Sequence, residues 1–136
     1  MIDQQLYRQL RDQGQNIQLD APPEPDHSKP MDRRTIVEQV GPVQVNGQWH
    51  LQWQTRTITA QERVSRLAED TLATRSQRDK FLRESDVYVL PDRWAQMTTQ
   101  QQHSWTAFRQ ALRDLPSQPG WPYDITWPTH PRGTYA

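Results

Sequence analysis

The sequence predicts an α+β fold made of a small β-sheet, a pair of helices and an extended tail rich in proline and tryptophan. Asn46-Gly47 separates two alternating runs, VQV and QWHLQWQTRTI, and predicts a β-hairpin because both turn positions require positive φ. Capping boxes that begin at Thr59 and Thr98 each mark the start of a helix. Together these signals predict a hairpin or three-stranded sheet followed by a helical hairpin.

The first predicted helix covers residues 3–14, with Asp3 as its N-cap and Gly14 as its C-terminal stop. Leu6 and Leu10 lie four residues apart and form a narrow apolar stripe. A helix of about three turns is marginal in water by itself. It is therefore expected to pack against another protein surface. The rest of its own chain and a partner protein are equally suitable as that surface.

Residues 18–32 contain four prolines, which prevent helix formation and favour an extended linker. Residues 33–59 form the predicted β region, in which Trp49, Leu51 and Trp53 share one face of the second strand. A sheet this small is marginal unless its apolar face is covered. The helix that follows is the expected cover.

That long helix is predicted from residue 60 to about residue 85, which is roughly 39 Å at 1.5 Å per residue. Its first half carries Val64, Leu67 and Leu72, predicted to pack against the hairpin. Phe81 lies beyond a polar middle section and is predicted to pack against the second helix. The helix is thus expected to make a separate contact at each end.

The second helix is predicted to start after Thr98 and to end at Pro116. Four apolar side chains follow one face at steps of three, four and three: Trp105, Phe108, Leu112 and Leu115. In the tail, every second residue from 121 to 127 is apolar or aromatic, namely Trp121, Tyr123, Ile125 and Trp127. This alternation predicts an extended segment with one face on a surface, here called the aromatic strap, residues 121–128. Residues 132–136 carry no pattern and are predicted to fray.

Composition excludes several classes of protein. Sixteen basic and sixteen acidic residues balance, so no overall field attracts nucleic acid or an anionic membrane. There is no cysteine, and no apolar run approaches a membrane-spanning length, so a protein in solution is expected. The mean hydropathy of -1.04 is low for a compact globule. Six tryptophans nevertheless argue against disorder, which favours a chain that completes its core on a partner.

No arrangement of residues predicts catalysis or a cofactor. His27, His50, His103 and His130 have no metal-ligand spacing and are predicted to be solvated. A glycan hydrolase or lyase is a poor alternative because no carboxylate pair can be assembled, and sugar stacking on the tryptophans is a weaker interpretation than core or interface. Arg109 flanks the apolar stripe, where it could pair with an aromatic ring or a partner carboxylate, or remain solvated.

Three motifs in a fixed order carry a resemblance to a known family. The first motif is RDKFLRESD, which is followed by the short run LPD. The second is a helix that contains a tryptophan and the run FRQALRDLP. The third is QPGWP, followed by a second WP pair. Over residues 75–131 this order and spacing resemble the carboxy-terminal module of bacteriophage tail assembly chaperone proteins. Phe81, Phe108 and Trp121 replace the usual aliphatic residue, tyrosine and phenylalanine, and Val87 stands where the family often has tryptophan. Each replacement keeps the physical character of its position.

The resemblance implies a chaperone that binds a tail fibre protein, expected to be trimeric, and assists its folding, trimerisation or attachment without enzymatic activity. A baseplate protein is a second expected partner, whereas nucleic acid, membrane and small-molecule substrates are not expected. The alternative function is a permanent structural subunit of the tail or baseplate. The expected location is the host cytoplasm during assembly, with retention in the virion tail as the alternative.

The residues predicted to contact the partner lie in two groups. The first group comprises Trp105, Phe108, Arg109, Arg113, Trp121, Tyr123 and Trp127, and the second comprises Leu6, Tyr7 and Leu10. The predicted division of the chain is a helix with linker at residues 1–32, a β region at 33–59, a chaperone module at 60–131 and the frayed tail at 132–136.

Overall fold

The computed structural model describes residues 1–135. Its elements are α1 (Gln4–Asp12), β1 (Ile17–Leu19), β2 (Thr35–Val45), β3 (Gln48–Thr57), α2 (Ala60–Ser85), α3 (Pro91–Gln96) and α4 (Thr99–Asp114), with 3₁₀ turns at Asp86–Val89 and Leu115–Ser117. A three-stranded sheet and several helices confirm the predicted α+β class.

The chain forms two compact units. Unit 1 consists of Met1–Pro25 and Thr35–Ile58 and contains α1 and the sheet. Unit 2 consists of Asp26–Arg34 and the chain from Thr59 onward, and contains the remaining helices and the strap. The second half of the proline-rich segment therefore belongs with the helices, which matters for the site described below.

The sheet of unit 1 has the strand order β1-β3-β2. Asn46 and Gly47 have φ values of 51° and 80° and join β2 to β3, as the sequence predicts. Across this turn Val43 pairs with His50 and Val45 with Gln48. A bulge interrupts the ladder between Val40 and Val43.

Strand β1 was not predicted, because it lies at the start of the segment interpreted as a linker. It pairs in parallel with β3, with Ile17 opposite Trp49 and Leu19 opposite Leu51. Three residues are too few to show an alternating pattern. Only the tertiary pairing makes this segment a strand.

Helix α1 has the predicted caps. The Asp3 carboxylate accepts a hydrogen bond from the Leu6 N–H at 3.0 Å. Gly14, at φ 73°, donates to Arg11 O at 3.0 Å, while Gln15 donates to the carbonyl of buried Leu10 at 2.9 Å. The Asp3 N–H donates to Gly41 O of β2 at 2.7 Å, so the helix docks within its own unit.

Helix α2 has the predicted bounds, and the reciprocal capping box of Thr59 and Glu62 is present. The burial predicted for its first half is wrong. Val64 is 74% exposed, Leu67 49% and Leu72 67%, whereas Asp70 and Thr74, which lie beside Leu67 around the helix axis, are 1% and 2% exposed. This half of the helix buries polar side chains because it faces a tyrosine hydroxyl of the strap, described below.

Between α2 and α4 the structure contains α3, which the sequence did not predict. Pro91 occupies its first turn, where the missing N–H costs nothing because that donor has no partner in a helix. The capping box of Thr98 and Gln101 at the start of α4 is confirmed.

The core of unit 2 is aromatic and forms where the last turns of α2 meet α4. Its buried members are Phe81, Trp105, Phe108, Leu112 and Leu115, which include the whole predicted stripe of the second helix. Tyr88 stacks on Trp105 at a ring-centroid distance of 4.2 Å, and Trp127 meets the edge of Phe81 at 5.7 Å. Such ring pairs add to the stabilisation from burial.

The last described residues differ from the frayed tail that the sequence predicts. The Tyr135 ring lies 4.5 Å from the ring of Phe81, and its N–H donates to Ser28 O at 3.1 Å. Tyr135 therefore packs on the core of unit 2, and burial raises the pKa of its hydroxyl to about 12. Ala136 lies outside the described residues.

Candidate partner-binding surface

A tight turn at Gly120 leads into the aromatic strap. The carbonyl of Gly120 accepts hydrogen bonds from the Tyr123 N–H at 2.8 Å and from the Asp124 N–H at 2.9 Å. A Cβ atom at Gly120 would lie 2.2 Å from the Asp124 carbonyl oxygen, so only glycine allows this approach. The Gln118 side chain then brackets Thr126, donating to its carbonyl at 2.9 Å and accepting from its N–H at 2.8 Å.

Tyr123 anchors the strap to α2. Its hydroxyl donates to the Asp70 carboxylate at 2.7 Å, and both groups are buried. Burial, together with this hydrogen bond, raises the pKa of Tyr123 to about 12. Beside it, Arg63 binds Asp124 with both terminal nitrogens, at 2.7 and 3.3 Å, and this pairing lowers the pKa of Asp124.

Arg109 holds α4 to the end of α2. One of its terminal nitrogens donates to Leu82 O at 3.1 Å, to Asp86 Oδ1 at 2.8 Å and to Ser85 Oγ. Ser85 is buried and itself donates to Leu82 O at 2.6 Å, as expected for a short polar side chain at a helix end. The guanidinium thus binds a helix terminus of its own chain instead of remaining solvated.

The predicted contact residues occupy three kinds of position. Those buried in their own unit are Leu10, Trp105, Phe108 and Tyr123; those half-buried are Leu6, Tyr7, Arg109, Trp121 and Trp127; Arg113 is exposed. Residues of the first helix lie in unit 1 and the others in unit 2. Contact of any of them with a partner stays a prediction, and the buried ones have structural roles in the folded chain.

Sequence reasoning missed the accessible apolar surface on the first half of α2. Val64, Leu67 and Leu72 project outward there, and we call these three side chains the α2 face. Their spacing was visible in the sequence but predicted burial. The residues about one and two turns after Leu67, Asp70 and Thr74, are polar, and it is these that the structure buries.

A second accessible feature is a cavity of about 300 Å³ in unit 2. It lies between residues 29–34 and strap residues 122–127. The sequence does not predict this cavity, because the first of these segments is interpreted as a linker.

Two of the histidines are held within the fold, so the prediction that all are solvated is wrong for them. His50 Nδ1 lies 2.7 Å from the Asp20 carboxylate. His130 lies among the rings of Trp105, Phe108 and Tyr135, at centroid distances of 5.0 to 5.4 Å. Burial lowers the pKa of His130, and Arg132 adds to this effect.

Within residues 1–135, no three histidine, aspartate or glutamate side chains lie close enough together to hold a metal ion. Across the same described part of the chain, no helix has the length and apolar character needed to cross a membrane.

Comparison with known proteins gives one match. No curated protein and no solved structure matches the chain. A family model, described as phage tail assembly chaperone protein, matches residues 71–132. These residues include the second half of α2, the whole of α3 and α4, and the strap. The resemblance predicted for residues 75–131 is thereby confirmed: residues 71–132 are similar to phage tail assembly chaperone proteins, and this similarity suggests a role in tail assembly.

Proposed function

We propose that this chain is a non-catalytic chaperone that binds a phage tail fibre protein and assists its folding, trimerisation or attachment. The family match supports a role in tail assembly. Fibre specificity is our proposal, and it rests on the kind of surface that unit 2 presents together with that match.

The α2 face is the observation that carries this proposal. It places three large apolar side chains, 74%, 49% and 67% exposed, on the first half of a single helix, spread over an arc of about 140° around its axis. Clustered exposed apolar residues on a folded protein mark an interaction site more often than isolated ones do. A helix with such a face can be recognised by an apolar groove or an uncovered apolar segment.

The α2 face is also held rigidly. The capping box at Thr59 fixes the start of the helix, and the bond from Tyr123 to Asp70 ties its middle to the strap. A preordered surface loses less conformational entropy on binding. A fibre chain that has not yet trimerised exposes edges prone to aggregation, so a rigid apolar surface that covers them would suppress that aggregation.

The test is co-expression of the fibre protein with the double variant Leu67→Gln/Leu72→Gln. Both side chains are exposed, so the variant should fold with an unchanged melting temperature. We expect the yield of soluble fibre to fall several-fold. Leu19→Gln is the matched control, since Leu19 is 69% exposed but lies in unit 1. Equal fibre yields from the double variant and the wild type would contradict the proposal.

The second candidate is a permanent structural subunit of the tail or baseplate. The α2 face favours it too, because a free protein with a permanently exposed apolar surface is prone to aggregate, whereas a subunit buries it. Quantitative mass spectrometry of purified virions separates the two candidates. Our proposal places the chaperone in the host cytoplasm and expects little of it in virions, whereas a structural subunit is present in stoichiometric amounts.

A further inference from the structure

The cavity of unit 2 is lined by apolar and charged side chains and is wide enough for a charged side chain together with a neighbouring apolar one. Its volume of about 300 Å³ is at the lower end of the range for ligand pockets. The apolar part of its lining is Pro30, Met31, Pro122, Ile125 and Trp127. An occupant therefore needs an apolar portion.

Most of the charged groups in the lining are already paired. Arg34 binds Asp32 with two nitrogens, through Nε at 3.0 Å and Nη2 at 2.9 Å, and this pairing lowers the pKa of Asp32. Lys29 lies 3.7 Å from the carboxylate of Asp26. These pairs leave Arg33 as the lining cation without an ion pair among residues 1–135.

Arg33 also has an unsatisfied donor. Its Nε is buried and has no hydrogen-bond partner in the described part of the chain, although the residue as a whole is only half-buried. A buried donor without an acceptor is costly, and more so on a charged group. A carboxylate is the acceptor that best fits a guanidinium, because its two oxygens match two N–H groups.

We propose that this cavity accepts an aspartate or glutamate side chain that lies next to an apolar residue in an extended segment of the tail fibre protein. The Arg33 side chain rotates so that its Nε–H and a terminal N–H reach the carboxylate, and the adjacent apolar side chain contacts Ile125 and Trp127. The inference rests on the proposed function for the identity of the partner. One unpaired cation among balanced pairs favours a single carboxylate over a polyanion such as nucleic acid.

The binding test uses two small probes of equal size and the full chain. Nitrogen-15 NMR follows the Arg33 Nε–H and Trp127 Nε1–H signals during titration with 3-phenylpropanoate and with the uncharged 3-phenylpropanamide. We expect saturable shifts with the acid and about tenfold weaker binding of the amide. A factor of about ten in affinity corresponds to the loss of roughly one charge-assisted hydrogen bond. Equal affinity for the two probes, or shifts only outside the cavity, would overturn the proposal.

Variants identify the residue responsible. Arg33→Gln should weaken binding of 3-phenylpropanoate about tenfold, whereas Arg83→Gln, the same change at an exposed position on α2 outside the lining, should leave it unchanged. If Arg33→Gln does not fold, Met31→Asp serves instead. Met31 is 49% exposed and lines the cavity, so a carboxylate there should be tolerated and should repel the probe.

A pull-down of the fibre protein separates failure of this inference from failure of the proposed function. We expect Arg33→Gln to reduce capture of the fibre while Arg83→Gln does not. If the wild type and Arg33→Gln capture equal amounts, the cavity proposal is overturned and the proposed function stands. If the wild type captures no fibre, the proposed function fails, and the assignment of a fibre carboxylate to the cavity fails with it, even where the probe binds.

Discussion

The Tyr123 hydroxyl and the Asp70 carboxylate form a buried 2.7 Å hydrogen bond between the strap and the first half of α2. Asp70 is 1% exposed, and besides Tyr123 its carboxylate lies 3.4 Å from Arg66. A buried carboxylate needs such partners because its desolvation is costly. The pair explains why α2 turns a polar side inward here and leaves the α2 face, Val64, Leu67 and Leu72, exposed.

Replacing Tyr123 with phenylalanine should destabilise the chain by about 1–3 kcal/mol, because it leaves Asp70 without its shortest hydrogen bond. Chemical denaturation measures this loss. Tyr7→Phe is the control, since the Tyr7 hydroxyl has no hydrogen-bond partner within residues 1–135, and it should have little effect. Equal stabilities for Tyr123→Phe and the wild type would show that the bond contributes nothing net.

Replacing Arg109 with alanine should cost about 1–3 kcal/mol, because buried Ser85 Oγ loses its donor and the Leu82 carbonyl loses one of its donors. Arg113→Ala, on the same helix but exposed, should change stability by less than about 0.5 kcal/mol. Thermal unfolding of both variants distinguishes the two positions. A similar small effect at both would mean that Arg109 is an ordinary surface arginine.

Gly120→Ala should distort the turn that starts the strap. The new Cβ would lie 2.2 Å from the Asp124 carbonyl oxygen, and a backbone atom cannot move away as a flexible side chain can. We expect a lower melting temperature and a change in near-ultraviolet circular dichroism, because Trp121 and Tyr123 follow this turn directly. Pro119→Ala, one residue earlier and exposed, is the control. An unchanged spectrum for Gly120→Ala would contradict the turn geometry.

His130 should make unit 2 less stable in mild acid. Its pKa in the folded chain is lowered from 6.5, chiefly by burial and further by Arg132, with Glu84 opposing. The unfolded chain therefore binds more protons than the folded chain just below pH 6.5, so the stability that neutral His130 contributes is present above that pH and is lost as the pH falls.

Melting temperatures measured from pH 7.5 to pH 5 test this expectation. The wild type should lose more stability over that range than His130→Phe, which keeps a ring in the cluster but cannot titrate. His103→Gln controls for an exposed histidine and should follow the wild type. If the melting temperatures of the wild type and His130→Phe fall in parallel with pH, the pKa of His130 is the same in the folded and the unfolded chain, and the expectation is wrong.

Local signals in the sequence identified the elements whose cause is local. The turn at Asn46-Gly47, the caps at Asp3 and Thr59 and the stripe through Trp105 each depend on residues within about one helical turn or one tight turn. The structure confirms all of these. The family motifs were recognisable for the same reason, since their order and spacing are written in one continuous segment.

The elements that the sequence did not predict depend on distant partners. Strand β1 exists because Ile17 meets Trp49, and the buried polar side of α2 exists because Tyr123 reaches Asp70. Neither pairing is encoded by periodicity. The cavity beside Arg33 was missed likewise, because it requires a segment interpreted as a linker to lie against the strap.

The strap tryptophans allow a direct comparison between packing and partner binding. The double change Trp121→Ala/Trp127→Ala should lower the melting temperature, because both rings pack on the core and Trp127 lies 5.7 Å from Phe81. Soluble fibre yield should then fall mainly because less chaperone is folded.

Fibre binding measured below the transition, and normalised to folded protein, distinguishes these effects. We expect it to fall less for the strap variant than for Leu67→Gln/Leu72→Gln, whose exposed side chains contribute to contact instead of stability. A strap variant that keeps the wild-type melting temperature but loses fibre binding would reverse this assignment. The strap would then be the surface that touches the fibre, as the sequence alone predicts, and the α2 face would need another partner.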